Sequence, residues 1–415
     1  MATRRSNGEG TTPIKRADGR WQIRIRTTQT STGTETRKTL YGKTRAEVVA
    51  KARTYRRQLE AGLLADSSNQ TLHNWAETWL TTIAPQRVRP QTLATYRGYI
   101  TRWVYTTPVA SKQLDQIKPK DIEHLYQRMR AAGMKESTVH HLHRVLAICF
   151  KAAVTNDLLA RNPMDRVPKP QVETFNPVVL SPSKARQLIT ALEDDEEWGL
   201  THTINLALGL RQGERLGLCW EDIDFETGSM RIERTIIMQT WKHGCTPAGK
   251  PPTCGRKTGN ACPQRHGGGF LMGPPKNKAG ARTVPLPAPI LARLKEHKTQ
   301  QRRLRLALGK DWVGALDATG KQWDLVFTDS FGRLIRPNYD WKAWNRFTTA
   351  QGIEGMRVHD ARHTAATVLL SMGVSPQVTM DIMGWSSPSM LGRYQHVLDE
   401  MRAEAAQKVA GALFG

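Results

Sequence analysis

The densest chemistry in this chain lies near its end. The stretch RVHDARHTAATVLLSMGVSPQVTMDIMGWSSPSMLGRYQHV spans residues 357–397 and contains His359, Arg362, Trp385 and Tyr394. Arginine presents a rigid fork of donors suited to phosphate oxygens. Histidine can donate to a phosphate or move a proton. Tyrosine can act as a covalent nucleophile. Together these groups suit attack on a phosphodiester. Singly they say little, because His-x-x-Arg is ordinarily a solvated helix face and a lone tyrosine ordinarily packs. The joint spacing carries the signal.

The elements that must position them can be read from caps and periodicity. His359 and Arg362, three residues apart, share a face on a helix. Ala365, Val368, Leu369 and Met372 follow at core-like spacing. Gly373 suits the left-handed position that stops a helix. Ser375-Pro376 supplies the next N-cap and first-turn proline. Val378 and Ile382 are expected to face inward on that short helix, which Gly384-Trp385 closes. Ser387-Pro388 repeats the start signal, and Tyr394 lies on or beside the helix that follows. Three short helices with tight turns therefore gather a histidine, an arginine, a tryptophan and a tyrosine.

This pattern closely resembles the C-terminal signature of the tyrosine recombinases, the phage integrase family. That signature reads roughly H-x-L-R-H-T-x-A-T, then L-G-H, then the nucleophilic tyrosine. The matching residues are His359, Arg362-His363-Thr364, Ala366-Thr367, Met383-Gly384-Trp385 and Tyr394, with Ala361 in place of leucine and Trp385 in place of histidine. Upstream, LGLRQGERLGLCWEDID (208–224) resembles the family's first box, with Arg211 on its catalytic arginine, Glu214 on its supporting acid and Leu208 where threonine is usual. An arginine beside Gly209, at a turn between helices, can also project into a cleft on its own account. In PPKNKAGARTVPLP (274–287) the resemblance assigns Lys276 as the hairpin lysine, with Lys278 as its rival and Arg282 as the closing arginine.

The resemblance implies an enzyme, a tyrosine site-specific recombinase that integrates or excises a phage or plasmid-like element. Tyr394 would form a 3′-phosphotyrosyl link. Arg211 and Arg362 would clamp the phosphate, Lys276 would protonate the leaving 5′-oxygen, and His359 would assist proton transfer from the tyrosine. Trp385 would support the phosphate or the nucleophile's helix. No cofactor or metal would take part in catalysis. Double-stranded DNA at attachment sites, a homotetramer on DNA and a host DNA-bending or directionality factor would be the partners. Two other classes stay open: a DNA-relaxing enzyme like the type IB topoisomerases, and a non-catalytic DNA-binding regulator.

Composition agrees with a nucleic-acid partner. The 415 residues carry 61 Lys and Arg against 37 Asp and Glu, a formal net charge of +24, and the pI is near 10.2. No apolar run approaches the roughly 18 residues of a membrane-spanning helix, and no signal peptide begins the chain. The odd cysteine count of five fits a reducing cytosol better than a disulfide framework. The expected setting is bacterial cytoplasm, at the nucleoid.

The fold class expected is mostly α with small β-sheets (α+β), in three domains of tyrosine-recombinase type. Residues 1–65 form an N-terminal arm-type DNA-binding module. In it GRWQIRIRT (19–27) alternates Trp21, Ile23 and Ile25 with Gln22, Arg24 and Arg26, TETRKTLYG (34–42) pairs with it across a turn at Ser31-Thr32-Gly33, and a helix runs from Thr44 to about Leu59. Residues 1–62 hold 15 Lys and Arg against 5 Asp and Glu, suiting a strand face laid on DNA. A polar linker begins at Asp66. Residues 70–168 read as a helical core-binding domain, with His140, His141 and His143 on its surface or facing DNA. A proline-flanked linker follows Lys169-Pro170.

Residues 178–415 form the catalytic domain. A strand is expected over Met230–Met238, with Arg282–Leu286 as its return. Between them, an insertion at about 239–273 holds His243, Cys245, Cys254, Cys262 and His266 in the spacing H-x-C-x₈-C-x₇-C-x₃-H. Four of these five could close a tetrahedral structural zinc site; free thiols in a loop are the other reading. A very basic helix covers 290–310. The tail from Leu398 to Gly415 lines up Met401, Ala405, Val409 and Leu413, and in the family such a tail docks on a neighbouring protomer.

Overall fold

A computed structural model describes residues 12–27, 36–60, 70–173, 176–246 and 251–394. The chain divides into two compact units, Met1–Thr174 and Phe175–Gly415. The turn at Ser31-Thr32-Gly33, the linker residues from Asp66 to Asn69 and the tail from Leu398 lie outside the described residues.

In the first unit, β1 (Ile14–Lys15), β2 (Trp21–Thr27) and β3 (Thr36–Gly42) form an antiparallel sheet in that order. The period-two alternation buries Ile23 and Ile25 against Val48 and Ala52 of α1 (Arg45–Glu60), while Arg24 stays on the exposed face. A separate core joins four helices: α2 (Leu72–Thr78), α3 (Pro90–Tyr99), α4 (Pro119–Ala131) and α5 (Glu136–Thr155). Trp75 donates its indole N–H to the Cys149 carbonyl at 3.0 Å, which satisfies the polar atom of a buried aromatic. One of the three histidines departs from expectation. His143 is buried and its Nδ1 hydrogen-bonds the Tyr126 hydroxyl at 2.8 Å, because it falls four residues after Val139 on the inward face.

The second unit opens with α6 (Pro182–Ala191), capped by the Ser181 side chain, then α7 (Gly199–Leu208) and α8 (Gln212–Leu216). The strands β4 (Ile223–Asp224), β5 (Ser229–Ile232), β6 (Thr235–Gln239), β7 (Gly269–Gly273) and β8 (Arg282–Pro285) follow. Next come α9 (Ala288–Leu308), the short pair β9 (Ala315–Leu316) and β10 (Gln322–Trp323), and α10 (Pro337–Ala350). The unit's described part ends with α11 (Val358–Ser371), α12 (Pro376–Met383) and a 3₁₀ turn over Pro388–Tyr394. Among the described residues no helix is long and apolar enough to cross a membrane.

The strand expected over Met230–Met238 is two strands in two sheets. β5 pairs with β8, and β6 pairs with β7. Together they make one long hairpin with a break in each arm. The outgoing arm breaks at Glu233-Arg234, where Arg234 turns to pair with the buried Asp222 at 3.1 Å and lies over Trp323. The return arm breaks over residues 274–281, the loop that holds Lys276 and Lys278. The expected insertion is accordingly shorter, since Gly269–Gly273 is a strand. In the helices, Met372 and Val378 are exposed rather than buried. Met372 lies past the end of α11, and the inward face of α12 is Thr379, Met380 and Met383, one step round from Val378.

A buried ion pair ties α8 to α10. Both Arg215 and Asp340 are fully buried, and Arg215 Nη2 reaches both carboxylate oxygens at 2.8 Å. Gln212 Nε2 donates to Asp340 at 2.7 Å, and His202 Nε2 lies 3.3 Å from it. Burial pushes His202 down, so its imidazole is neutral and donates from Nε2. Burial pushes Asp340 up, but Arg215 and His202 outweigh it and hold the carboxyl far below its ordinary range. The pair's stabilisation is therefore present above the ordinary carboxylate titration near pH 4 and lost on acidification below it. Asp340→Asn should cost about 3–5 kcal/mol in denaturant unfolding of the second unit, by leaving the Arg215 charge buried and alone. Arg215→Met combined with Asp340→Leu should recover most of that loss.

Candidate active site

Two helices end on left-handed glycines, and their carbonyls organise the site. Gly209 closes α7 at φ 61° and Gly384 closes α12 at φ 61°. A Cβ on Gly384 would sit 2.8 Å from the Ala279 carbonyl oxygen, so the α12 terminus and the 274–281 loop meet backbone to backbone. The last carbonyls of a helix lack internal partners and carry partial negative charge. Arginines take them here. Arg362 Nη1 donates to the Gly209 carbonyl at 2.6 Å and Nη2 to the Met383 carbonyl. Arg211 Nη2 donates to the Gly384 carbonyl at 3.0 Å, and Arg282 Nε to the Ile382 carbonyl at 2.7 Å.

Glu214 joins this set from below. As the third residue of α8, its carboxylate accepts the Arg211 backbone N–H at 3.1 Å. The same carboxylate takes Arg211 Nη1 at 2.5 Å and Arg282 Nη2 at 3.2 Å. Burial pushes Glu214 up, but Arg282 and Arg211 outweigh it, so it remains a carboxylate. Burial, then the nearby charge of Arg211, pushes the Arg362 pKa down to about 9, still above neutrality. Two guanidinium groups, Arg211 and Arg282, thus share one carboxylate, and the third, Arg362, is held beside them on helix-closing carbonyls. The excess positive charge is held in protein, with the Arg211 side chain partly open to solvent. Such a set suits an anion with several oxygen acceptors.

Tyr394 ends the Pro388–Tyr394 turn and is 2% exposed. Its ring stacks on Trp385 at 5.4 Å and 23°. Its hydroxyl lies 2.5 Å from His363 Nδ1. The histidine that meets the tyrosine is therefore His363, which the motif contains but to which sequence reasoning attached no role. Its signal was available, since it lies four residues after His359 and so shares that face. His359 packs edge-on against His363 at 5.1 Å and is otherwise exposed. Loss of water from around its ring, then the neighbouring His363, Arg362 and Arg357, push the His359 pKa down to about 4.

Lys276 and Lys278 are both exposed in the 274–281 loop. Asn277 Nδ2 ties this loop to Ser386 Oγ at 2.9 Å, next to Trp385 in sequence. Arg282 Nη1 ties it to its own Gly280 carbonyl at 2.9 Å. The structure thus gathers Arg211, Glu214, Arg282 and Arg362 at one point. It joins His359, His363, Trp385 and Tyr394 in a chain of ring contacts, and fastens the lysine loop beside Trp385.

Comparisons with known proteins point the same way. The profile described as "Phage integrase family" matches residues 275–401. An integrase from Saccharopolyspora erythraea is 32% identical over 446 residues, covering 100% of this chain and 98% of the relative. A solved structure of the Tn1549 transposon integrase with transposon right-end DNA superposes with a TM-score of 0.63 at 20% identity, covering 83% of this chain and 100% of that one. A lambda integrase tetramer bound to a Holliday junction superposes with a TM-score of 0.52 at 16% identity, over 94% of this chain and 96% of that one.

The depressed His359 has a direct check. In an NMR titration of the protein without DNA, the signal lost in His359→Gln should stay in its neutral form down to about pH 5. A midpoint near the ordinary imidazole value of about 6.5 would contradict the crowding described here.

Proposed function

This chain belongs to the phage integrase family of tyrosine recombinases, and we propose that Arg211, Lys276, His359, Arg362, Trp385 and Tyr394 carry its reaction. The chain is a site-specific DNA recombinase of the kind that moves mobile elements. The observation that carries the assignment of roles is the arginine cluster at the end of α12. Arg211 and Arg362 come from helices far apart in sequence, yet both are fixed on the closing carbonyls of α12.

In this reading the scissile phosphate sits against Arg211 and Arg362, which neutralise the charge that grows on its non-bridging oxygens. The Tyr394 hydroxyl oxygen attacks phosphorus, and the bond from phosphorus to the 5′-oxygen breaks. The phenol proton passes to the histidine pair. His363 is the partner already in contact, and the neutral His359 packs against it and assists the transfer. Lys276 gives its proton to the leaving 5′-oxygen. Trp385 holds the tyrosine ring. The 3′-phosphotyrosyl link keeps the bond energy, so rejoining by a 5′-hydroxyl needs no nucleotide and the chemistry needs no cofactor. Any metal in the Cys/His segment would be structural.

The same reading extends to the rest of the chain. Residues 1–65 act as an arm-type DNA-binding module, 70–168 as a core-binding domain and 178–415 as the catalytic domain. The DNA-bound Tn1549 and lambda integrases support a DNA partner here and a tetramer that exchanges strands. A host DNA-bending or directionality factor and a nucleoid setting in bacterial cytoplasm complete the proposal.

Labelled DNA flanking the element's own integrase gene, mixed with the protein and run on a denaturing gel, tests the chemistry. An adduct resistant to denaturant should form without added metal ion and should vanish with Tyr394→Phe. Arg211→Lys keeps the charge but loses the fork, so it should lower adduct formation by about 10²-fold or more while leaving DNA affinity within a few-fold. Adduct persisting in Tyr394→Phe would remove the assigned nucleophile.

A further inference from the structure

We propose that His243, Cys245, Cys254 and Cys262 bind one zinc ion that clamps the tip of the β6–β7 hairpin. Four ligand atoms from four separate points in this segment lie within 4.8 Å of one another. His243 Nδ1 is 3.9 Å from Cys245 Sγ and 3.4 Å from Cys254 Sγ. A tetrahedral zinc with ordinary bond lengths spaces a sulfur and a nitrogen ligand about 3.5 Å apart, and two sulfurs about 3.8 Å. The four side chains therefore already stand near the corners of such a site. Cys262 is buried and the other three are half-buried.

The surrounding backbone is built to hold these corners. Lys242 and His266 exchange backbone hydrogen bonds of 2.9 and 3.1 Å, closing the segment just above the strands. A Cβ on Gly244 would lie 2.0 Å from the Gln264 carbonyl oxygen, and one on Gly259 2.0 Å from the Trp241 carbonyl oxygen. Chain crossings this close need a reason. Apolar packing does not supply one, since the described tip withdraws little from solvent beyond a half-buried Trp241 (under Gly268 and Arg265) and the buried Cys262. Residues 239–273 contain five Lys and Arg and no Asp or Glu. Three thiols that give up protons on binding a dication would leave the site with one net negative charge inside a positive segment. His266, the fifth candidate by sequence, is exposed and outside the cluster.

The site would be structural, because all four corners are protein ligands. Its place gives it a consequence. β7 leads from the tip directly into the 274–281 loop of Lys276, so a clamp at the tip fixes the arm from which that loop departs.

The full-length protein, purified with zinc and dialysed against a weak competing ligand, tests this by metal analysis. Wild type and His266→Ala should each hold about one zinc per chain. Cys245→Ser with Cys254→Ser should hold none. His243→Cys should keep the ion, and its cobalt form should show stronger thiolate-to-metal charge transfer than wild type. Trypsin should cut at Arg256 or Lys257 in the wild type only after chelation. Loss of metal in His266→Ala, retention in the double serine variant, or a wild type without zinc whose tip resists trypsin would each overturn the proposal. Because metal content and proteolysis are read without DNA, the outcome is independent of the recombination chemistry.

Discussion

One buried carboxylate makes the rest of this site feasible. Guanidinium groups repel each other and resist leaving water, so a cluster of Arg211, Arg282 and Arg362 cannot assemble inside a protein on its own. Glu214 relieves the repulsion by taking a donor from Arg211 and another from Arg282. The closing carbonyls of α7 and α12 absorb most of what remains. Helix ends normally look for partners, and here the partners are the arginines. The result is a set of donors fixed before any substrate arrives, which is what electrostatic stabilisation of a transition state requires.

That arrangement explains why the fold spends so much on where chain segments stop. Gly209 and Gly384 are not merely tolerant of a left-handed turn. Gly209 leaves room for the Met383 side chain, and Gly384 lets the α12 terminus approach the Ala279 carbonyl of the 274–281 loop. The Arg215–Asp340 pair does a related job one turn along α8, holding that helix to α10 so that Arg211 at its start has a fixed origin. Stability and function share the same helix here.

How much of this could be read from the chain depended on whether the cause was local. Ser181-Pro182 and Ser375-Pro376 announce helix starts because capping acts within three residues, and both serines do accept the expected backbone N–H. The buried Ile23 and Ile25 follow from alternation alone. The strand break at Glu233-Arg234 could not be foreseen. Its cause is Asp222, a buried acid whose demand for a cation appears only once the segments meet. The same holds for His143, whose partner Tyr126 lies on another helix. The inward face of α12 was misplaced by one position because Met380 and Met383, not the more apolar Val378, meet α11 and the turn. That Arg211 and Arg362 converge on the end of α12, and that Tyr394 lies beside Trp385, accords with the spacing of the motifs. That His363 rather than His359 would meet the tyrosine needed the three-dimensional path of the Pro388–Tyr394 turn.

The resting position of Tyr394 bears on how such a protein survives alongside its host's chromosome. Its hydroxyl is engaged by His363 and its ring lies flat on Trp385. If Tyr394 is the nucleophile proposed above, it must exchange these contacts before it can reach a phosphate, and whatever gap separates the two states sets the population of the released form. A protein with so large a positive charge will meet DNA everywhere, and on most of it nothing compensates that gap. Cutting is then governed less by where the protein binds than by whether the site it binds can draw the tyrosine out. On that reading, accidental nicking would be suppressed at the level of the side chain.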